Sequence, residues 1–175
     1  QIEVAGSLFA GYLGDPVDQA APPSWWPTGD LGLIDADGYL HVQGRTRNVL
    51  ITAFARNVSP EWVESTLRDE AGIAQAVVFG DAQPALSAVI WPTVATLTDA
   101  ALQASVDAAN AALPDYARVH RWVRCVVPFS AATGLATANG RPQRQAVLAM
   151  HADALGLADN TPIEQTENGT PHELS

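Results

Sequence analysis

Lysine is missing altogether: the nine basic residues of this 175-residue chain are all arginines, set against 19 acidic ones, for a formal charge of −10 at pH 7. Phosphate backbones and anionic membranes are gripped by basic stripes, so this balance argues against a nucleic-acid or membrane-surface role. Any anionic ligand has to be held locally. Cysteine is nearly absent too, with Cys125 alone in an apolar run. That excludes an internal disulfide, fits a reducing compartment and a cytoplasmic location, and makes Cys125 a buried small hydrophobe before it is a nucleophile. No apolar stretch approaches the roughly 18 residues of a membrane-spanning helix. The opening Gln1-Ile2-Glu3-Val4 has neither the basic nor the long apolar region of a signal peptide. The only methionine is Met150, so the chain is expected to begin inside a longer reading frame.

What is present reads as globular, with 47% hydrophobic and 16% charged residues. Ile2 to Val4 predicts a strand, residues 8–13 a second short strand or turn, and the proline-punctuated stretch 14–27 a loop. Leu31 to Ile34 and Tyr39 to Val42 flank Asp35-Ala36-Asp37-Gly38, where Asp-Gly supplies the positive φ of a hairpin turn. Val49 to Ile51 predicts another strand. Ser59-Pro60-Glu61 then starts a helix, with serine as cap, proline at the first position and Val63 and Leu67 as the buried stripe. Ile73 to Phe79 and Ala85 to Trp91 are apolar enough for central strands, Thr98-Asp99 caps a helix to about Ala112, and Trp122 to Val127 predicts a further strand. A last helix is expected from Pro142 through Leu155, and residues 158–175 have too little to bury to fold. The order βαββαβα after residue 48 follows an all-β part, and the two textures meet at Arg45-Thr46-Arg47.

Three groups of residues bear chemistry. Asp30, behind Thr28-Gly29, can accept hydrogen bonds from ribose hydroxyls, although an aspartate in a turn commonly serves its own backbone. Arg45, at the end of a strand, offers a fork suited to phosphate oxygens, or else a solvated ion pair. Asn139-Gly140-Arg141-Pro142-Gln143-Arg144 places two cations ahead of a helix, where plain solvation is the competing reading.

Taken in order, Ile2-Glu3-Val4-Ala5-Gly6-Ser7-Leu8, Gly11-Tyr12-Leu13, Thr28-Gly29-Asp30-Leu31-Gly32, Asp37-Gly38-Tyr39-Leu40, Gly44-Arg45, Asn57-Val58-Ser59-Pro60-Glu61 and Asn139-Gly140-Arg141 resemble successive core motifs of the AMP-forming adenylating enzymes. That superfamily takes in acyl-CoA synthetases, nonribosomal peptide synthetase adenylation domains and firefly luciferase. The resemblance covers about residues 1–150, and Asn57 to Glu61 and Gly134 to Gly140 look most like bacterial long-chain fatty acyl-CoA synthetases. It implies an α+β chain: residues 1–46 as the β end of the large adenylation domain, residues 47–157 as the small α/β C-terminal domain, and a disordered tail at 158–175.

The same resemblance assigns roles. Asp30 holds the ribose of ATP or of the acyl-adenylate, Arg45 contacts that nucleotide, and Arg47 is the hinge about which the small domain rotates between adenylation and thioester formation. Ala53, Phe54, Ala55 and Arg56 lie in the loop that meets the pantetheine channel of coenzyme A. The implied substrates are a fatty or other carboxylic acid, ATP with Mg2+, and coenzyme A, with AMP released. The implied partner is the upstream half of the adenylation domain. No protein metal site is expected. Departures from the family are informative. Arg141 stands where relatives carry the lysine that bridges carboxylate and α-phosphate, and a chain without lysine offers compositional bias with function kept as one explanation. Ala53 and Ala55 stand where glycine is frequent. Neither the Gly/Ser/Thr-rich phosphate loop nor the aromatic-Gly-x-Thr-Glu segment occurs, so the chain alone is expected to be inactive. The competing expectations are an adenylating domain that loads a carrier protein, and a silent module that binds nucleotide or a partner.

Overall fold

A computed structural model describes residues 1–6 and 25–157. The expectations for residues 8–13 and most of 14–27, the Gly11-Tyr12-Leu13 motif and the tail at 158–175 lie outside the described residues.

The N-terminal portion is built of short antiparallel pairs. β1 (Glu3–Val4) pairs with β2 (Trp26–Pro27), and β3 (Asp30–Ile34) with β4 (Leu40–Arg45). The hairpin turn forms as its sequence dictates: Gly38 takes φ +89°, and the Asp35 carboxylate accepts from the amides of Asp37 and Tyr39 at 3.0 and 2.9 Å. A single 3-10 turn at Thr46–Asn48 leads into β5 (Leu50–Ile51). β6 (Asn57–Val58), which sequence reasoning missed, pairs back onto β5 across a tight turn closed by Thr52 N–H to Arg56 C=O at 3.0 Å.

From α1 (Pro60–Arg68) onward the chain is a three-layer sandwich. β7 (Ile73–Phe79), β8 (Leu86–Pro92) and β9 (Val119–Arg124) lie in the order β7-β8-β9, antiparallel then parallel, with α2 (Asp99–Ala112) as the crossover between the parallel pair. Successive strand residues face opposite ways, so two cores form. Ala76, Val78, Leu86, Ala88 and Ile90 pack with Val63 and Leu67 of α1 and Leu102 and Val106 of α2. Val77, Phe79 and Val89 pack with Cys125, Phe129, Leu135 and the α3 residues Val147 and Leu155. Cys125 is thus a fully buried hydrophobe.

Several expectations need correcting. β7 is an edge strand rather than a central one; it reads as apolar on both sides, Gln75 excepted, because both its faces are covered. β9 starts at Val119, not Trp122, and stops at Arg124. Its start is pinned by the Asn110 side chain, whose Oδ1 accepts from Val119 N–H and whose Nδ2 donates to Val119 C=O, both at 2.8 Å. α3 (Arg144–Leu155) starts at Arg144, because Pro142 is held in an antiparallel bridge with Ala136. Ser59 occupies the N-cap position of α1, yet its hydroxyl donates to Gln43 C=O at 2.6 Å instead of capping the helix. Thr98 does cap α2, accepting from Ala101 N–H at 3.2 Å.

Candidate functional site

The hairpin register sets Asp30 directly across from Arg45. Arg45 Nε lies 2.7 Å from Asp30 Oδ1, and another guanidinium nitrogen donates to Thr28 C=O at 3.3 Å. The Asp30 backbone N–H is served by the Thr28 hydroxyl at 3.0 Å, and that hydroxyl donates to Ile2 C=O at 3.0 Å. The carboxylate is therefore not spent on its own turn. Among the described residues no donor reaches its second oxygen, and the side chain stays a quarter exposed. A half-exposed pair of this kind adds little stability, on the order of 0–1 kcal/mol, but it presents a fixed acceptor beside a fixed cation.

The hairpin docks against the start of α1. Besides the Ser59 to Gln43 bond, Asn48 Nδ2 donates to Glu61 Oε1 at 2.5 Å. Gly44 is required here by close approach, since a Cβ on it would stand 2.0 Å from Ser59 Oγ. Between the hairpin, α1 and the loop before α3 lies an open cleft of about 970 Å3. Asp30, Arg45, Glu61, Arg68 and Arg141 are among the residues on its walls. Asp35 and His41 line it as well, with His41 Nε2 2.5 Å from Asp35 Oδ2, and that hydrogen bond holds the Asp35 carboxyl below its usual range.

Arg141 sits at the end of a small backbone loop. Thr137 N–H donates to Arg141 C=O at 2.8 Å, Arg141 N–H to the Thr137 hydroxyl at 3.1 Å, and Gly140 turns with φ +80°. The Arg141 guanidinium has no hydrogen bond or ion pair among the described residues, so its charge is free to meet an anion. Three positions from far apart in sequence, Asp30, Arg45 and Arg141, thus face one cleft. Arg47, in the 3-10 turn, does not line it, and neither do Ala53, Phe54, Ala55 and Arg56. That loop is anchored instead to the β7-β8 turn through Ala53 N–H to Gln83 C=O at 2.9 Å. Phe54 is 72% exposed, and Arg56 stands over the Tyr116 ring, 5.8 Å from its centroid. Ala55 adopts φ +55°, the left-handed region that glycine enters freely.

Sequence reasoning overlooked Glu64 and left Arg144 as a solvated cation. Arg144 turns inward: one nitrogen lies 2.7 Å from Glu64 Oε1 and another donates to Val78 C=O at 2.9 Å, while Val78 N–H donates to Glu64 Oε1 at 2.8 Å. Burial pushes the Glu64 carboxyl up to about 7 despite the Arg144 charge beside it. The available signal was its helical position one residue after Val63 and three before Leu67, on the edge of the apolar stripe.

Among the described residues no group of three or more His, Cys, Asp or Glu side chains could hold a metal ion, and no helix is long and apolar enough to cross a membrane.

Residues 47–158 match the family model described as the AMP-binding enzyme C-terminal domain. A long-chain-fatty-acid–CoA ligase of Mycobacterium tuberculosis is 41% identical over 87 residues, which is 49% of this chain and 14% of that protein. A long-chain-fatty-acid–CoA ligase of Mus musculus is 36% identical over 88 residues, 48% of this chain and 12% of that one. The chain therefore spans about a seventh or less of the length of these relatives. In structure it resembles the A domain of a carboxylic acid reductase from Segniliparus rugosus, solved with AMP and a co-purified carboxylic acid, at TM-score 0.65 and 22% identity over 78% of this chain and 23% of that one. It also resembles an amide bond synthetase from Marinactinospora thermotolerans at TM-score 0.58 and 24% identity, over 74% of this chain and 25% of that chain.

Proposed function

The chain belongs to the AMP-binding enzyme C-terminal domain family, and from that premise we propose that it is the C-terminal portion of an ATP-dependent, AMP-forming acyl-CoA synthetase of the cytoplasm. The whole enzyme joins a fatty or other carboxylic acid to coenzyme A through an acyl-adenylate, with release of pyrophosphate and then AMP. One observation carries the reading: Asp30, Arg45 and Arg141 line a single cleft large enough for a nucleotide. The second oxygen of Asp30 accepts ribose hydroxyls, and Arg45 fixes that carboxylate and adds contacts to the nucleotide. Arg141 places its unpaired guanidinium where negative charge builds up between carboxylate and α-phosphate, which is electrostatic stabilisation by a pre-placed cation. Its planar fork meets two oxygens at once, where an ammonium would meet them as a point charge. Magnesium, for which the described residues offer no site of their own, would enter on the nucleotide's phosphates.

Thioester formation is assigned to the other face of the same domain. Arg47, in the 3-10 turn between β4 and β5, is the hinge, and the loop of Ala53, Phe54, Ala55 and Arg56 meets the pantetheine arm after rotation. The 175 residues by themselves carry no phosphate loop and do not form acyl-adenylate alone. The test is acyl-hydroxamate formation by the chain joined to its large domain, with Asp30→Ala and Arg141→Ala as variants. Loss of about 100-fold or more in either variant is expected. A joined protein that binds nucleotide yet forms no hydroxamate would replace the synthetase reading with that of a silent nucleotide-binding module.

A further inference from the structure

We propose that Glu64 and Arg144 are positioning residues that aim Arg141, acting through the outward edge of β7. The inference rests on the synthetase reading for its chemical consequence and on geometry for its substance. An unpaired side chain cannot orient itself; the Arg141 guanidinium touches no partner among the described residues, so its place is set by its backbone alone. That backbone belongs to the excursion from Phe129 to Arg144, and β7 fastens both of its ends. At the first end the Gln75 amide makes two bonds to the Phe129 backbone, accepting from its N–H at 2.7 Å and donating to its C=O at 3.0 Å. At the second end Glu64 and Arg144 take up the N–H and C=O of Val78 and meet each other at 2.7 Å.

Between the fastenings the register passes residue by residue. Gln143 N–H donates to Leu135 C=O at 2.9 Å, Pro142 bridges Ala136, and Arg141 closes on Thr137. Arg144 is thus the point nearest the tip that β7 holds directly, three residues from the charge that has to be placed. An apolar pair in its position could cover β7 with less desolvation. It could not direct the backbone of residue 144, because only a fork that contacts a carboxylate and a carbonyl together fixes both distance and angle.

The experiment uses Arg144→Met, with Glu64→Gln and Arg144→Lys as milder variants should the first fail to fold. In the 175-residue chain, amide exchange at Thr137, Gly140, Arg141 and Gln143 is expected to quicken by about tenfold or more, with α2 amides within about twofold and Arg144→Lys intermediate. Uniform quickening, or none, overturns the proposal. In the enzyme joined to its large domain, kcat for hydroxamate formation is expected to fall by about 10- to 100-fold with KM for ATP within about twofold, and Arg144→Lys to recover part of it. An unchanged kcat with a loosened loop overturns the positioning role. A wild-type joined enzyme that forms no adenylate sinks the synthetase reading alone, and the exchange pattern then decides the clamp by itself.

Discussion

The hairpin and the sandwich behind it solve opposite problems. Among the described residues, all of the buried apolar ones lie at Val58 or later, in two cores on either face of the β7-β8-β9 sheet. The hairpin buries almost nothing apolar: Ile34, Tyr39 and Val42 are 70%, 71% and 63% exposed, and its attachment to α1 is polar, through Gln43, Asn48 and the close approach at Gly44. Yet Asp30 and Arg45 belong to the hairpin and Arg141 to the sandwich. The cleft is shared between a part that carries the folding energy and a part that leans on it. Parting the two walls of such a site would break a few polar contacts and leave both cores whole.

The comparison breaks most sharply in the core of the sandwich. Leu67→Ala, at a residue with no exposed surface, should cost about 2–5 kcal/mol in urea unfolding, whereas Leu33→Ala on the hairpin should stay within about 0.5 kcal/mol. Equal losses at the two positions would erase the distinction. The pH dependence is next in size. Glu64 is raised from an ordinary value near 4.5 to about 7 by burial, with Arg144 pulling down and Glu61 pushing up. A carboxyl with a raised folded value contributes stability that is fully present below about 4.5 and lost as pH rises through about 7. Relative to Glu64→Gln, the native chain should therefore weaken between pH 5 and 8 by up to about 3 kcal/mol. A flat difference would place Glu64 in ordinary solvent.

Smaller effects test the seam and the loops. Gly44→Ala drives a Cβ into Ser59 and should cost about 1–3 kcal/mol, with faster exchange in the hairpin than in α2. Unaltered hairpin protection would mean that the two parts are not coupled there. Ala55→Gly relieves a positive φ and should stabilise by about 1 kcal/mol, as thermal unfolding would show.

What was legible in the sequence was what local chemistry decides. Asp35-Ala36-Asp37-Gly38 dictated a turn because Asp35 supplies the side-chain acceptor and Gly38 the positive φ within four residues, and Thr98 capped α2 for the same reason of proximity. The candidates that line the cleft were legible only as motifs, since nothing in the spacing of Asp30 and Arg141 places them on one cleft. Distant partners hid the rest. The start of β9 depends on Asn110, nine residues earlier, and Glu64 and Arg144 find their common target on Val78, 14 and 66 residues away. A glutamate and an arginine that look like surface charges in sequence are drawn inward by an unfilled strand edge, and no period or propensity announces such an edge.

That edge has a consequence for how the protein behaves in a crowded solution. An outer strand with unpaired N–H and C=O groups is a template onto which a strand of another molecule can add, and β7, apolar at six of its seven residues, would be a strong one. At Val78 the template is already occupied by Glu64 and Arg144, and an incoming strand would have to displace this partly buried ion pair to continue its ladder. The same two side chains that fasten the loop also guard the sheet against self-association.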